Sequence, residues 1–515
     1  MSKLARGSFL ILIGNIIFRF GGYIYRFLMA ALLGPASYGI LGLTLPFQGI
    51  FQVLAAGGLP PAIAKYVSQY SALEEDELTR QTIYTSLKIM IFLGLFFGLI
   101  MVFFVAPYLA YDFFSKPEAL LPLQAVGLIT PFSVIVGAFR GAFQGVYKME
   151  YILYTRAVEQ VFMILFATAL VILGMSAFGA VLGSVIGFAL SALSSVIIFK
   201  KYMWKYIPQP STDFKFPLKK ELDLAKQLVT FSIPVTVTAL AEMAIYSVCT
   251  IIMGKFLVAD LIGYFVAADP IARLPLIIST SIATTILPAS SAAFSTKDQG
   301  LLNKYVSQAY KYGMILVVPI CIGIAMFAKT IMSTVYFTNS DYALGAMALS
   351  ILVIGMTFYS LFTISASIIQ GIGNPRIPMY VLIGGTALTV VLGWFMIPAF
   401  GIEGGALATT ISSFAMMIPI LIITFRLTKV NPPVTFFGKL AISSAIMALF
   451  ILLLPQNIVG LVLGIVFCPI IYFIVLTLLK TFTPEDIQGV RRFSNKLGPF
   501  SSLLNKILDI MGRFA

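Results

Sequence analysis

The chain alternates between long apolar runs and short polar breaks, and most runs hold about 20 residues or more. A helix rising 1.5 Å per residue needs about that length to cross a hydrocarbon core of about 30 Å. A transmembrane β-barrel would show shorter segments alternating with period two. Division at glycine, proline and charged breaks predicts fourteen helical spans, at about residues 8–33, 38–64, 82–106, 119–143, 150–174, 178–200, 226–254, 261–290, 306–330, 342–370, 377–398, 402–426, 434–455 and 457–480. The predicted class is an all-α polytopic membrane protein. The first run is too long for a signal-peptide core and lacks a small-x-small cleavage site, so it is expected to stay as span 1.

Composition agrees with a bilayer environment. Only 10% of the 515 residues are charged and 59% are hydrophobic, whereas a soluble domain carries about 25% charged residues. The net charge of +14 would suggest nucleic acid in a soluble protein; here the charges flank the spans, so no nucleic-acid partner is expected. There is no histidine, which removes His-based catalysis, His relays and most zinc sites. Cys249, Cys321 and Cys468 all fall inside apolar runs and read as packing residues, with no disulfide framework or metal site.

Lysine and arginine set the expected orientation. With the N-terminus in the cytoplasm, Lys116, Lys255 and Lys329 fall at outer ends and Arg19, Arg26 and Arg273 within spans; the other 28 of the 34 lie on the cytoplasmic side. That asymmetry predicts both termini inside. The polar stretch at 203–224 reads as a cytoplasmic linker between an N-terminal lobe (1–202) and a C-terminal lobe (225–426). Spans 13 and 14 (427–480) follow, and then a cytoplasmic amphipathic tail (481–515). The lobes repeat weakly. Gly39 matches Gly263 and Pro46 matches Pro270 at an offset of 224, and Gln144-Gly145 matches Gln370-Gly371 at 226. Six spans per copy keep the same orientation, which implies a pseudo-two-fold axis along the membrane normal.

Charge inside a bilayer marks candidate chemistry. In span 1, Asn15, Arg19, Tyr23 and Arg26 share one face at about 100° per residue. Two arginines on one stripe with no acid in that helix point to an anionic ligand; the alternative is snorkelling to an interface. Span 8 carries Asp269, Pro270, Arg273 and Pro275. Asp269 and Arg273, four apart, could bind a ligand or simply pair. Span 2 is expected to break at Pro46 and at 57–61, so the two lobes carry broken helices in matching places, which point to moving parts or a binding site. Glu242 in span 7 is either a counter-ion or a proton or sodium site. Arg156 and Glu159 read as a structural pair.

Several runs then resemble a known family. These are Gly14-Asn15 after Gly7, the run Leu33-Gly34-Pro35-Ala36-Ser37-Tyr38-Gly39, and Phe139-Arg140-Gly141-Ala142-Phe143-Gln144-Gly145 followed by Glu159-Gln160. They look like the polysaccharide-biosynthesis flippase branch of the multidrug/oligosaccharidyl-lipid/polysaccharide exporter superfamily. The last stretch is similar to the stage-V-sporulation-protein-B-like group. The resemblance implies a V-shaped bundle of two lobes with alternating access. It also implies a cationic cavity for a polyprenyl-linked sugar diphosphate, moved from the cytoplasmic to the outer leaflet. In the related lipid II flippases, cavity arginines come from spans 1, 2 and 8. Here Arg19, Arg26 and Arg273 supply spans 1 and 8, but span 2 has no arginine, only Lys65 at its end.

Also implied are a monomer that is not an enzyme, no cofactor, surrounding membrane lipids, and glycan-biosynthesis enzymes as partners. Coupling to H+, Na+ or membrane potential is left open, with Glu242 and Asp269 as its candidates. Two rivals stand beside this reading. A cation-coupled multidrug exporter of the same superfamily would want a net negative cavity. A membrane glycosyltransferase would want acids or metal ligands at an aqueous face, where the longest outer loops hold only Asp112, Glu118 and Asp341.

Overall fold

The computed structural model describes residues 3–203, 206, 217–431, 434–482 and 491, without the side chains of 3–13, 15 and 16. Among the described residues the regular structure is helical throughout: α1 (Lys3–Ala56), α2 (Leu59–Ala72), α3 (Asp76–Ile100), α4 (Leu120–Gly145), α5 (Met149–Leu170), α6 (Ser176–Tyr202), α7 (Leu218–Phe256), α8 (Ala259–Ala272), α9 (Leu276–Ser295), α10 (Gln299–Met326), α11 (Ala328–Val335), α12 (Ala346–Gly371), α13 (Arg376–Thr428), α14 (Val434–Leu452) and α15 (Ile458–Leu478). The tail predicted at 481–515 and most of the 203–224 linker lie outside the described residues.

Eleven of the described helical segments are long and apolar enough to cross a membrane. Three of them, of 56, 54 and 53 residues, are about 80 Å of helix each, more than twice a hydrocarbon core. Each is interrupted by a glycine at positive φ: Gly34 (φ 71°), Gly174 (φ 91°) and Gly401 (φ 61°). Around the last two the chain folds back. Gly183 and Gly187 of α6 pack on Ala167 and Met163 of α5, and Gly404 packs on Met396. Counted as two passes each, the three long segments bring eleven to fourteen, the number read from the sequence. The protein is an all-α polytopic membrane protein.

The breaks follow glycine more than proline. α1 continues through Pro46 and stops at Gly57 and Gly58, both at positive φ. The expected break at Pro46 is therefore absent: a proline removes one ladder hydrogen bond, and the neighbouring turns carry the helix past it. In span 8 the break falls between α8 and α9, at residues 273–275, and Pro270 stays helical.

Packing divides the chain into two compact units. One comprises Met1–Ala267, Tyr336–Tyr342 and Thr386–Gly405; the other comprises Ala268–Val335, Ala343–Gly385 and Ala406–Ala515. In the first, α7 is held against its neighbours at both ends. Near its start, Lys88 of α3 pairs with Glu221 at 2.7 Å, and Lys65 of α2 lies 4.5 Å over the Phe231 ring. Near its end, Lys116 Nζ donates to the Gly254 carbonyl at 2.7 Å, and burial there pushes the Lys116 ammonium below its ordinary pKa.

The same unit contains a reciprocal backbone contact. A Cβ on Gly39 would collide with the Ala259 carbonyl oxygen, and one on Gly263 would collide with that of Pro35. Positions 35 and 259, like 39 and 263, are 224 apart, so the repeat exchanges the two halves of this contact. A two-fold-related interface has that property. In the second unit, the Tyr310 and Ser365 hydroxyls join α10 to α12 at 2.7 Å, and α14 and α15 pack on α10.

Candidate functional site

The first half of α1 is oriented by its small and aromatic residues. Gly14 faces Leu153 and Gly21 faces Gln160, both of α5. Gln160 Nε2 donates to the Phe18 carbonyl at 3.0 Å, and the Tyr25 hydroxyl donates to the Ala180 carbonyl of α6 at 3.1 Å. Residues 14, 18, 21 and 25 form one stripe, and the stripe of Arg19, Tyr23 and Arg26 lies more than 90° away around the helix. Arg19 is exposed, and Tyr23 and Arg26 are half-buried. Among the described residues no carboxylate lies within 4 Å of Arg19 or Arg26. Tyr23 stacks on Phe27 with ring centroids 6.1 Å apart. Asn15 lies in α1, but its side chain is outside the described residues.

Span 8 behaves differently. Arg273 sits at the α8–α9 break and donates from Nε (2.8 Å) and Nη2 (2.5 Å) to Asp269 Oδ1. The structure thus brings these two predicted residues together as an i,i+4 pair. Glu242 of α7 is exposed and has no basic partner within 4 Å among the described residues.

A third cluster lies between α1, α4, α5 and α6. Arg140 Nη2 donates to Glu159 Oε2 at 2.7 Å and to the Ser191 hydroxyl at 3.3 Å, and its Nε donates to the Thr155 hydroxyl at 3.1 Å. The expected partnership of Glu159 with Arg156 is corrected by this geometry. The carboxylate's ion-pair partner is Arg140, from the neighbouring helix and 19 residues earlier, while Arg156 extends over the Phe18 ring at 5.9 Å. Residues 156 and 159 lie about 60° apart around α5, close enough to pair, yet α4 supplies the guanidinium that reaches the carboxylate. These groups border a cavity of about 400 Å³, whose lining includes Phe18, Gln52, Arg140, Arg156, Glu159 and Gln160. Two arginines and one glutamate leave its charged wall at +1. The buried Nε2 of Gln52 has no hydrogen-bond partner among the described residues.

Sequence reading missed this cavity. Arg140 was counted with the cytoplasmic-side charges, and Gln52 carries no charge to draw notice. The available signal was the Arg140 and Glu159-Gln160 motif itself, which the sequence used only for resemblance.

An apolar groove of about 470 Å³ lies among α10, α11, α14 and α15, with Ile320, Gly323, Phe327, Leu461, Cys468 and Tyr472 in its walls. Among the described residues, no group of three or more Cys, Asp or Glu side chains is arranged to hold a metal ion.

Comparison with known proteins gives a consistent set of likenesses. The family model described as "Polysaccharide biosynthesis protein" matches residues 4–294, and the MatE model matches residues 234–395. An uncharacterized membrane protein of Methanocaldococcus jannaschii is 26% identical over 442 residues, covering 83% of this chain and 99% of its own. The lipid II flippase MurJ of Bacillus subtilis is 22% identical over 452 residues, covering 81% of each chain. Among solved structures, lipid II flippase MurJ in an inward closed conformation superposes with a TM-score of 0.74 at 18% identity, over 91% of this chain and 98% of that one. At that identity the likeness is one of fold.

Proposed function

Because the chain belongs to the polysaccharide biosynthesis protein family, we propose that it is a flippase for a polyprenyl-(di)phosphate-linked oligosaccharide or cell-envelope precursor, carried from the cytoplasmic to the outer leaflet. The observation that carries the reading is the α1 stripe. Arg19 and Arg26 stand in a membrane-spanning helix without a carboxylate within 4 Å among the described residues. Such cations are expensive in a bilayer unless a cavity or ligand receives them, and guanidinium forks match phosphate oxygens. The apolar groove beside α14 and α15 supports the lipid part, since a polyprenyl chain asks only for apolar walls. The relatives named for lipid II flipping support the substrate class by analogy.

In this reading the protein lies in the cytoplasmic membrane with both termini inside, as its lysine and arginine asymmetry suggests. The lobes 1–202 and 225–426 alternate access. Arg273, held by Asp269, is a further candidate to bind the anion once it leaves that carboxylate. Glu242 is the candidate for ion coupling. The MatE match at 234–395 supports a second reading, a cation-coupled multidrug exporter.

One experiment separates them. Deleting the gene should make a lipid-linked glycan accumulate in the cytoplasmic leaflet, and wild-type protein should restore its export. Normal leaflet distribution in the deletion strain, with drug sensitivity instead, would favour the exporter.

A further inference from the structure

The cavity between α1, α4, α5 and α6 is polar in a way that differs from the α1 stripe. Its wall contains a carboxylate, Glu159, paired with Arg140. Glu159 Oε2 receives Arg140, and its second oxygen remains as an acceptor. Gln160 spends an N–H on the Phe18 carbonyl and keeps its side-chain oxygen as an acceptor. Donors come from Arg156 and from Gln52, whose buried Nε2 has no partner among the described residues. A buried amide donor left unsatisfied is unfavourable, and a guest with acceptor atoms would satisfy it. Phe18 adds an aromatic ring beside Arg156.

Donors, acceptors and an aromatic ring around about 400 Å³ suit a molecule that both gives and accepts hydrogen bonds at its edge and is apolar on its faces. A pyranose has that character, and the volume lies within the ordinary range for small-molecule sites. A diphosphate, which only accepts, would leave the Glu159 and Gln160 oxygens without a donor.

The geometry points to this cavity as the subsite for the first sugar ring of the lipid-linked substrate, a neutral pyranose joined to the diphosphate. The inference rests on the flippase reading and adds a division of labour to it. Phe18 borders the cavity, and Arg19 lies at the same level of α1 about 100° around the helix, so a ligand would reach from one face to the other. Phosphate is held on the arginine stripe, where no acid lies near, and the adjoining sugar falls into the cavity, where acceptors are plentiful. Arg140, tied to Glu159, Thr155 and Ser191, positions the carboxylate.

The test uses full-length protein in nanodiscs and two kinds of probe: undecaprenyl diphosphate alone, and the same lipid carrying one glucose or one N-acetylglucosamine. Wild-type protein should bind at least one sugar-bearing lipid about tenfold more tightly than the bare one, the effect of one well-made hydrogen bond to a charged group. Gln52→Leu and Arg156→Gln, both of which leave the Arg140–Glu159 pair in place, should bring that ratio close to one without changing affinity for the bare lipid. An unchanged ratio in both variants, or no preference for either sugar in wild type, overturns the subsite. An equal fall for bare and sugar-bearing lipids overturns it too, because the cavity would then hold the diphosphate. Wild-type protein that binds neither class of lipid removes the flippase reading itself.

Discussion

Arg26 and Arg140 are both arginines within membrane-spanning helices, yet their surroundings are opposite. Arg140 is tied by Nε and Nη2 to Thr155, Ser191 and Glu159. Arg26 is half-buried on α1 with no carboxylate within 4 Å among the described residues. In a medium of low dielectric a charge is tolerated when a partner is built in, or when one arrives. Arg140 has its partner in the fold and serves architecture. On the proposed function, Arg26 meets its partner in the substrate. The difference predicts that substitution at one site should act on stability and at the other on transport.

The largest effect is expected at the compensated site. Arg140→Ala leaves the half-buried Glu159 carboxylate without its partner, and losing one side of such a charged hydrogen-bonded pair destabilises by about 1–3 kcal/mol or more. Thermal unfolding in detergent should show a clear drop in Tm, and removing the carboxylate as well, in Arg140→Met/Glu159→Met, should recover much of it. A single variant as stable as wild type would break the comparison.

Next comes Arg26→Ala. Its Tm should stay near wild type while transport of lipid-linked glycan falls about 10- to 100-fold, the range expected for losing a charge-assisted bond to phosphate. Arg26→Lys should recover part of the rate, because lysine offers a point charge where arginine offers a fork. Full transport in the alanine variant would take Arg26 out of the site.

Smaller again is Gly39→Val, which overpacks the contact with Ala259 by roughly 1–3 kcal/mol. Cysteines placed at Ser37 and Asp260 should cross-link more slowly in that background. The smallest effect on stability belongs to Asp269→Asn. The pair is half-buried, but asparagine keeps an oxygen that can accept from the guanidinium, so Tm should move less than in the other variants. The pH or sodium dependence of transport should change if Asp269 holds Arg273 between turnovers, and an unaltered profile would leave the pair structural.

These contrasts also show what the sequence could and could not reveal. Span number was legible because apolar length is a one-dimensional quantity, and so was the α1 stripe, because helical period places residues 19, 23 and 26 together whatever packs nearby. The partner of Glu159 was not legible. Arg156 is closer in the chain, but the choice between it and Arg140 depends on where α4 lies against α5. The behaviour of Pro46 was hidden for a similar reason, since whether a proline breaks a helix depends on how neighbouring turns absorb it. Gln52 and Gln160 are neutral amides whose importance appears only when several helices enclose one space.

The reciprocal contact of Gly39 with Ala259 and Gly263 with Pro35 carries a kinetic consequence. Backbone meets backbone at these two glycines, so no side chain at either position must change rotamer for the helices to part there. Lipid tails are as apolar as the helix surfaces they would replace, which leaves mainly dispersion to hold such a seam. If the proposed alternating access opens this contact, the glycines themselves should add little to its barrier. Side chains larger than hydrogen at these two positions would act as ratchet teeth, slowing each cycle even where the end states kept their relative energies.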